Sequence, residues 1–243
     1  MSTSRDVFII DAIRTPVGRF LGALKNYEAH ELGAVTVKSI LERLASKSDI
    51  KPEEVDSLMF GQVLVAGKKQ NPARNAAVNG GLPVTCPAHS VSIVCGSGLR
   101  SVQLARNEIL SGDAELIIAG GMESMSRSTH AAYLRDGTKY FDLKLEDTMF
   151  LDGLTDTFKN YQMGITCENI VKQENITRES QDEFAIESHT KAVKAIENGF
   201  FDNEIVPVGD VVKDEQPRVQ NKERLAKMKP HWTFLLRIID RLK

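Results

Sequence analysis

The sequence predicts an α/β fold, a mostly parallel mixed sheet with helices on its faces and an inserted loop region. Three observations predict it. Short runs rich in β-branched and apolar residues alternate with stretches of helical periodicity through the first half of the chain, the pattern of strand, crossover helix and returning strand. Clusters of Gly, Pro, Ser and Asp punctuate the alternation. The first of the short runs, Val7 to Ala12, is a nearly continuous apolar run rather than an alternating one, as strands covered on both faces are.

Taken in order, Val7 to Ala12 (VFIIDA) reads as a strand buried on both faces, ended by the loop signal Arg14-Thr15-Pro16-Val17-Gly18. Glu31 to Leu44 then places Leu32, Val35, Val37, Ile40, Leu41 and Leu44 largely on one helical side, and Ser48 to Pro52 breaks the run. Val55 to Val65 reads as the next strand, interrupted at Gly61, where a bulge or a close backbone approach fits. Asn71-Pro72 opens a short helix, with proline in its first turn, and Gly80-Gly81-Leu82-Pro83 closes it. Ser90 to Val94 is the third strand and leads into Cys95. Leu99, Val102, Leu104, Ile109 and Leu110 recur at helical spacing until Ser111, Gly112 and Asp113. Ala114 to Gly121 supplies the fourth strand. Repeated alternation of this kind implies right-handed crossovers and parallel pairing.

From Met122 to about Lys159 the chain is a polar segment without sustained periodicity, read as an insertion packed on the sheet. A helix follows with Met163, Cys167, Ile170 and Val171. Thr177 then caps a second one, which runs through Phe184, Ala192 and Ile196 to Gly199. Glu204 to Val208 carries a proline and reads as an edge strand, and Gln216 to Lys229 as a loop. His231 to Lys243 is an apolar, basic tail that suits an amphipathic helix or a plain terminus. The expected divisions are 1–121 for the α/β core, 122–208 for the insertion with its returning helix and strand, and 209–243 for the loop and tail.

Cys95 is the residue of greatest chemical interest. It stands at a sharp corner with Gly96 and Gly98, just before a helix N-terminus, where free N–H groups and the helix dipole favour a thiolate. The plain alternative is a small buried apolar cysteine. In open α/β sheets chemistry gathers at the carboxyl ends of strands, which is where the pattern puts Cys95.

Composition narrows the classes of function. The 243 residues are 42% hydrophobic with a formal net charge of −2, so neither nucleic acid nor an anionic membrane is an expected partner. The three cysteines (Cys86, Cys95, Cys167) form no CxxC pair and the five histidines are scattered, which argues for a reducing, cytoplasmic setting and against a zinc site. No apolar run approaches the roughly 18 to 20 residues a bilayer span needs, and the N-terminus shows no signal h-region.

Several stretches resemble the thiolase family, on its acetyl-CoA C-acetyltransferase branch: IIDAIRTPVGRF at 9–20, QNPARNAA at 70–77, SVSIVCGSGLRSV at 90–102, AGGMESMS at 119–126, DGLTDTF at 152–158, YQMGITCEN at 161–169, SQDEFAIES at 180–188 and FDNEIVPV at 201–208. The ketoacyl synthases share the chemistry, but IRTPVGRF together with GGMESMS resembles thiolases instead. The resemblance runs from about Val7 to Pro230. It implies that Cys95 accepts an acyl group from acyl-CoA as a thioester, and that a second acetyl-CoA, converted to a carbanion, attacks it to give acetoacetyl-CoA. It further implies that Leu154, Met163 and Arg218 line the CoA site, that CoA thioesters are substrates with no other cofactor, and that copies pair through the sheet as a homo-oligomer. On charge statistics alone, Arg218 is a solvated loop arginine.

The sequence also departs from the family. Thiolases carry an activating histidine in a GHP-type motif and a second cysteine in a CxG motif, and neither occurs here. His231 is followed by Trp232 and does not read as that histidine. Family members often have histidine where Gln162 stands and glycine where Lys69 stands. The expectation is therefore a thiolase N-terminal half, truncated or frame-disrupted and impaired in full turnover by itself. The alternatives are a 3-ketoacyl-CoA thiolase acting on longer chains, a CoA-binding or dimerising piece without catalysis, and an unstable fragment exposing apolar surface.

Overall fold

A computed structural model describes residues 6–135, 137, 140 and 142–229. The predicted tail at 231–243 lies outside the described residues. The chain divides into two compact units: residues 1–153 with 203–215, and residues 154–202 with 216–243.

The first unit is built on a three-stranded sheet in the order β2-β1-β3, from β1 (Ser57–Gly61), β2 (Ala88–Val91) and β3 (Ile117–Gly121), all parallel. Helix α1 (Ala29–Lys47) precedes β1, and α2 (Pro72–Asn79) and α3 (Ser97–Ser111) form the crossovers. The predicted α/β class and the parallel pairing are both present. β1 is central and buried along its whole length, as its unbroken apolar run requires. Its Leu58 and Phe60 pack with Val37 of α1, Ala73 and Ala76 of α2, Val55, Leu82, Cys86 and Met122. Asn71 caps α2 by accepting from the Arg74 N–H, and its own amide donates to the Ala88 carbonyl at 2.8 Å. The QNPARNAA motif thus ties the start of α2 to the start of β2.

Several predicted strands are shorter or displaced. β1 stops at Gly61 rather than Val65, β2 ends at Val91 rather than Val94, and β3 begins at Ile117 rather than Ala114. Val7 to Ala12 forms no strand; Phe8 and Ile9 are 77% and 81% exposed, and pairing near this segment is a single bridge from Arg14 to Ile205. An extended apolar run becomes a strand only when a neighbouring backbone accepts its hydrogen bonds, and among the described residues none does. Glu204 to Val208 is likewise reduced to isolated bridges. α3 also differs from expectation, because its periodic Leu99 is 80% exposed while Ser97, Ser101 and Ala105 face the sheet. Small residues let this helix approach β1 and β3 closely, and that proximity displaces the larger side chains from the contact.

Arg14 of the IRTPVGRF stretch fastens the two segments of this unit together. Its guanidinium donates to Glu204 at 2.7 Å and to both Asp214 oxygens at 2.7 and 3.0 Å, a forked geometry that lysine does not reproduce. Burial pushes the Asp214 carboxyl up, but hydrogen bonds from Arg14 and the Val17 N–H outweigh it and leave it below the usual range. A two-stranded antiparallel ribbon, β4 (His130–Ala131) and β5 (Glu146–Asp147), lies in the predicted insertion.

The second unit is helical: α4 (Met163–Gln173), α5 (Arg178–Glu197) and the short α6 (Lys222–Ala226). Thr177 caps α5 as its sequence predicts. α6 falls in the predicted loop, where Asn221 accepts from the Arg224 N–H to cap it and Arg178 of α5 donates to the Leu225 and Met228 carbonyls at 2.6 and 3.0 Å. A tertiary contact to the end of α6 stabilises a turn that local propensity alone leaves marginal. Among the described residues no helix is long and apolar enough to cross a membrane.

Candidate active site

Cys95 is exposed and stands one residue before Gly96, the N-cap of α3. The chain reaches it through a turn rather than a strand. Val94 has φ of 55°, a left-handed conformation that is an outlier for a β-branched residue and costs about 1–2 kcal/mol. Ser97, 3% exposed, spans that turn: its hydroxyl accepts from the Ile93 N–H at 2.9 Å and donates to the Val94 carbonyl at 2.6 Å. The Ser97 N–H also donates to the Val94 carbonyl, at 3.1 Å.

Beneath the turn, three glycines let backbone meet backbone. A Cβ on Gly61 would lie 2.7 Å from the Ser97 carbonyl oxygen and nearer still to the Gly98 nitrogen. One on Gly121 would lie 3.2 Å from both the Gly61 oxygen and the Gly98 Cα. The sequence flagged Gly61 as a close approach, and α3 is what approaches. Ser101, fully buried, adds a bond of 2.6 Å to the Gly120 carbonyl. The first turn of α3 is thereby fixed on the carboxyl ends of β1 and β3.

The loop leaving β1 is held on the same side. Glu123, in the AGGMESMS stretch, accepts from the Val63 and Leu64 N–H groups at 2.9 and 3.3 Å, and Gln62 donates to the Leu64 carbonyl at 3.0 Å. Farther along, Lys68, with its side chain 6% exposed, donates to Glu28 at 2.9 Å and to the Arg127 carbonyl, while the Arg127 side chain also reaches Glu28 at 2.9 Å. Burial raises the Glu28 carboxyl, but the Lys68 and Arg127 bonds and charges overcome this and leave it lowered. Next to Lys68, Lys69 sits at φ of 66°, a left-handed conformation that glycine adopts without steric cost.

The remaining site candidates belong to the second unit. Leu154, half-buried, ends the π-helical turn Met149–Leu154. Met163, half-exposed, is the first residue of α4, following Gln162, whose amide nitrogen donates to Thr155 Oγ1 at 3.2 Å. Arg218 is exposed, and its backbone N–H donates to His189 Nδ1 at 3.4 Å. Within this unit the three are spread over a turn, a helix start and a loop. Sequence reading missed Ser97, Ser101 and Glu123, because the relevant signal is a buried polar group with two partners. Only the serine two residues beyond the cysteine in Cys-Gly-Ser-Gly hinted at it. Among the described residues no cluster of three His, Cys, Asp or Glu side chains is placed to hold a metal.

The family described as "Thiolase, N-terminal domain" matches residues 7–233. The chain is 52% identical over 204 residues to an acetyl-CoA acetyltransferase of Cupriavidus necator, covering 84% of this chain and 51% of the relative. It is 44% identical over 238 residues to the cytosolic acetyl-CoA acetyltransferase of Rattus norvegicus, covering 94% of this chain and 59% of the relative. The crystal structure of the Bacillus anthracis acetyl-CoA acetyltransferase superposes with a TM-score of 0.83 at 38% identity, over 90% of this chain and 57% of that one. The chain thus spans between half and three-fifths of the length of these relatives.

Proposed function

The chain belongs to the thiolase family, and we propose that it carries the acyl-accepting part of an acetyl-CoA C-acetyltransferase, with Cys95 as the nucleophile. The observation that supports this reading most directly is the placement of Cys95: exposed, on a strained turn at the carboxyl edge of a parallel sheet, immediately before the first turn of α3. Backbone strain of this kind gathers at functional sites.

In the first step the Cys95 thiolate attacks the carbonyl carbon of acetyl-CoA. A carbon–sulfur bond to Cys95 forms and the carbonyl oxygen takes the negative charge. The Gly96 and Ser97 N–H groups already donate to the Ile93 and Val94 carbonyls, so the donors to that oxyanion are sought among the N–H groups that follow them in the first turn of α3. Collapse of the intermediate breaks the bond to the CoA sulfur, which leaves as a thiolate and takes up a proton. In the second step a base removes a proton from the methyl group of another acetyl-CoA. The resulting carbanion forms the new carbon–carbon bond, the Cys95 sulfur departs, and acetoacetyl-CoA is released. Covalent capture divides one difficult reaction into two easier ones.

Leu154, Met163 and Arg218 are proposed as contacts to CoA, with the Arg218 guanidinium meeting a phosphate or the adenine ring. The reading also includes a cytoplasmic setting and a homo-oligomer. These 243 residues contain no Gly-His-Pro motif to supply the second-step base, so the chain alone is expected to acylate but to make little acetoacetyl-CoA. The test is incubation of the purified chain with acetyl-CoA, rapid quenching and peptide mass spectrometry. An acetyl group on the Cys95 peptide, absent in C95S, is expected. A folded chain whose Cys95 stays unmodified at saturating acetyl-CoA refutes the proposal.

A further inference from the structure

We infer that Ser97 is a positioning residue for Cys95, its buried hydroxyl holding Val94 in the left-handed turn that presents the thiol; this rests on Cys95 being the nucleophile. A β-branched residue at φ of 55° persists only where its surroundings over-determine it. Packing does not supply the constraint, since Val94 is about half exposed and Cys95 is exposed. Ser97 does. A serine that bonds back to the carbonyl three residues before it is a common local pattern, here to Val94 at 2.6 Å. What distinguishes Ser97 is that the same hydroxyl also accepts from the Ile93 N–H at 2.9 Å, so one buried oxygen joins both sides of the turn. Ser97 is in turn held by the frame, because its carbonyl and the Gly98 nitrogen rest against Gly61 of β1. The chain of support runs from the sheet through the helix start and the Ser97 hydroxyl to Val94 and Cys95.

The test combines S97A with V94G. Glycine adopts the left-handed conformation without steric cost, so it should restore in S97A what the hydroxyl normally enforces. In S97A, which loses both hydrogen bonds of the hydroxyl, the saturating rate of Cys95 acetylation by acetyl-CoA is expected to fall about tenfold or more, with the half-saturating concentration unchanged. S97A/V94G is expected to return to within about twofold of the unsubstituted chain. A wild-type rate in S97A, or a loss that V94G does not recover, overturns the inference. V94G alone gives a reading that does not depend on S97A folding. Its Tm should hold or rise, and a fall of about 3 °C or more overturns the strained turn.

Alkylation by iodoacetamide separates this inference from the proposed activity. The rate at Cys95 relative to the exposed Cys167 should drop in S97A and recover in S97A/V94G, whether or not acetyl-CoA reacts. If the unsubstituted chain forms no acetyl-enzyme while this ratio behaves as expected, the proposed activity fails and the positioning role stands. If the acetyl-enzyme forms and neither rate responds to S97A, the positioning role fails and the activity stands.

Discussion

Replacing Gly61 by alanine tests the architecture that brings α3 onto the sheet. The added Cβ would sit 2.7 Å from the Ser97 carbonyl oxygen, where ordinary contact begins at 3.4 Å, and closer still to the Gly98 nitrogen and the Ser97 carbonyl carbon. All three neighbours are backbone, so no side chain can swing aside, and the helix start must retreat by about 0.7 Å or more. Overpacking of a tight interior costs about 1–3 kcal/mol, and the rigidity of these neighbours puts G61A near the upper end. For a chain of this size about 3 kcal/mol corresponds to a Tm lower by about 6–12 °C. Urea unfolding should show a reduced midpoint with an unchanged slope, and alkylation of Cys95 should slow because its turn is carried on the same helix start. G98A is the control: its Cβ would find the Gly120 oxygen at 3.8 Å, an ordinary contact, so its Tm should stay within about 3 °C of the parent. A G61A chain with the parent's midpoint and the parent's Cys95 reactivity would refute the argument that backbone contact at Gly61 seats α3.

Two further predictions concern the loop between β1 and α2. In K68M the Glu28 carboxylate keeps Arg127 but loses its buried ammonium partner, which is expected to cost about 2 kcal/mol, below the full cost of an orphaned buried charge; a Tm within 1 °C of the parent, measured calorimetrically, would contradict it. Because the folded Glu28 carboxyl is lowered, its contribution is present above the ordinary glutamate value of about 4.3 and is lost as pH falls through the depressed folded value. The acid limb of the parent's stability profile should therefore be steeper below about pH 4.3 than that of K68M. K69G removes the penalty of a left-handed lysine at φ of 66°, about 1–2 kcal/mol, against about 0.5–1 kcal/mol for the freer unfolded glycine. A net gain of roughly 0.5–1 kcal/mol follows, read as a raised urea midpoint, and a lowered midpoint would show that the loop does not strain Lys69.

Most of the helices were legible in the sequence because their signals are local. Periodicity located α1, Asn71-Pro72 marked the start of α2, Gly112 ended α3 and Thr177 began α5. Each depends on residues within a turn or two of one another. Strand limits were less legible, since Val7 to Ala12 has strand composition and still pairs with no neighbouring strand among the described residues. The α6 turn was hidden for the converse reason, because its last carbonyls are satisfied by Arg178, far away in sequence.

By itself the sequence determined the α/β alternation, the glycine corner around Cys95 and the family motifs, all of which are encoded in neighbouring residues. Only the tertiary structure decided how the corner is made. The Ser97 hydroxyl and the left-handed Val94 are near neighbours in sequence, but they are seated on the sheet by the backbone contact of Gly61 with α3, which joins residues more than thirty positions apart. Such contacts depend on two elements arriving at the same point in space, which no local propensity specifies.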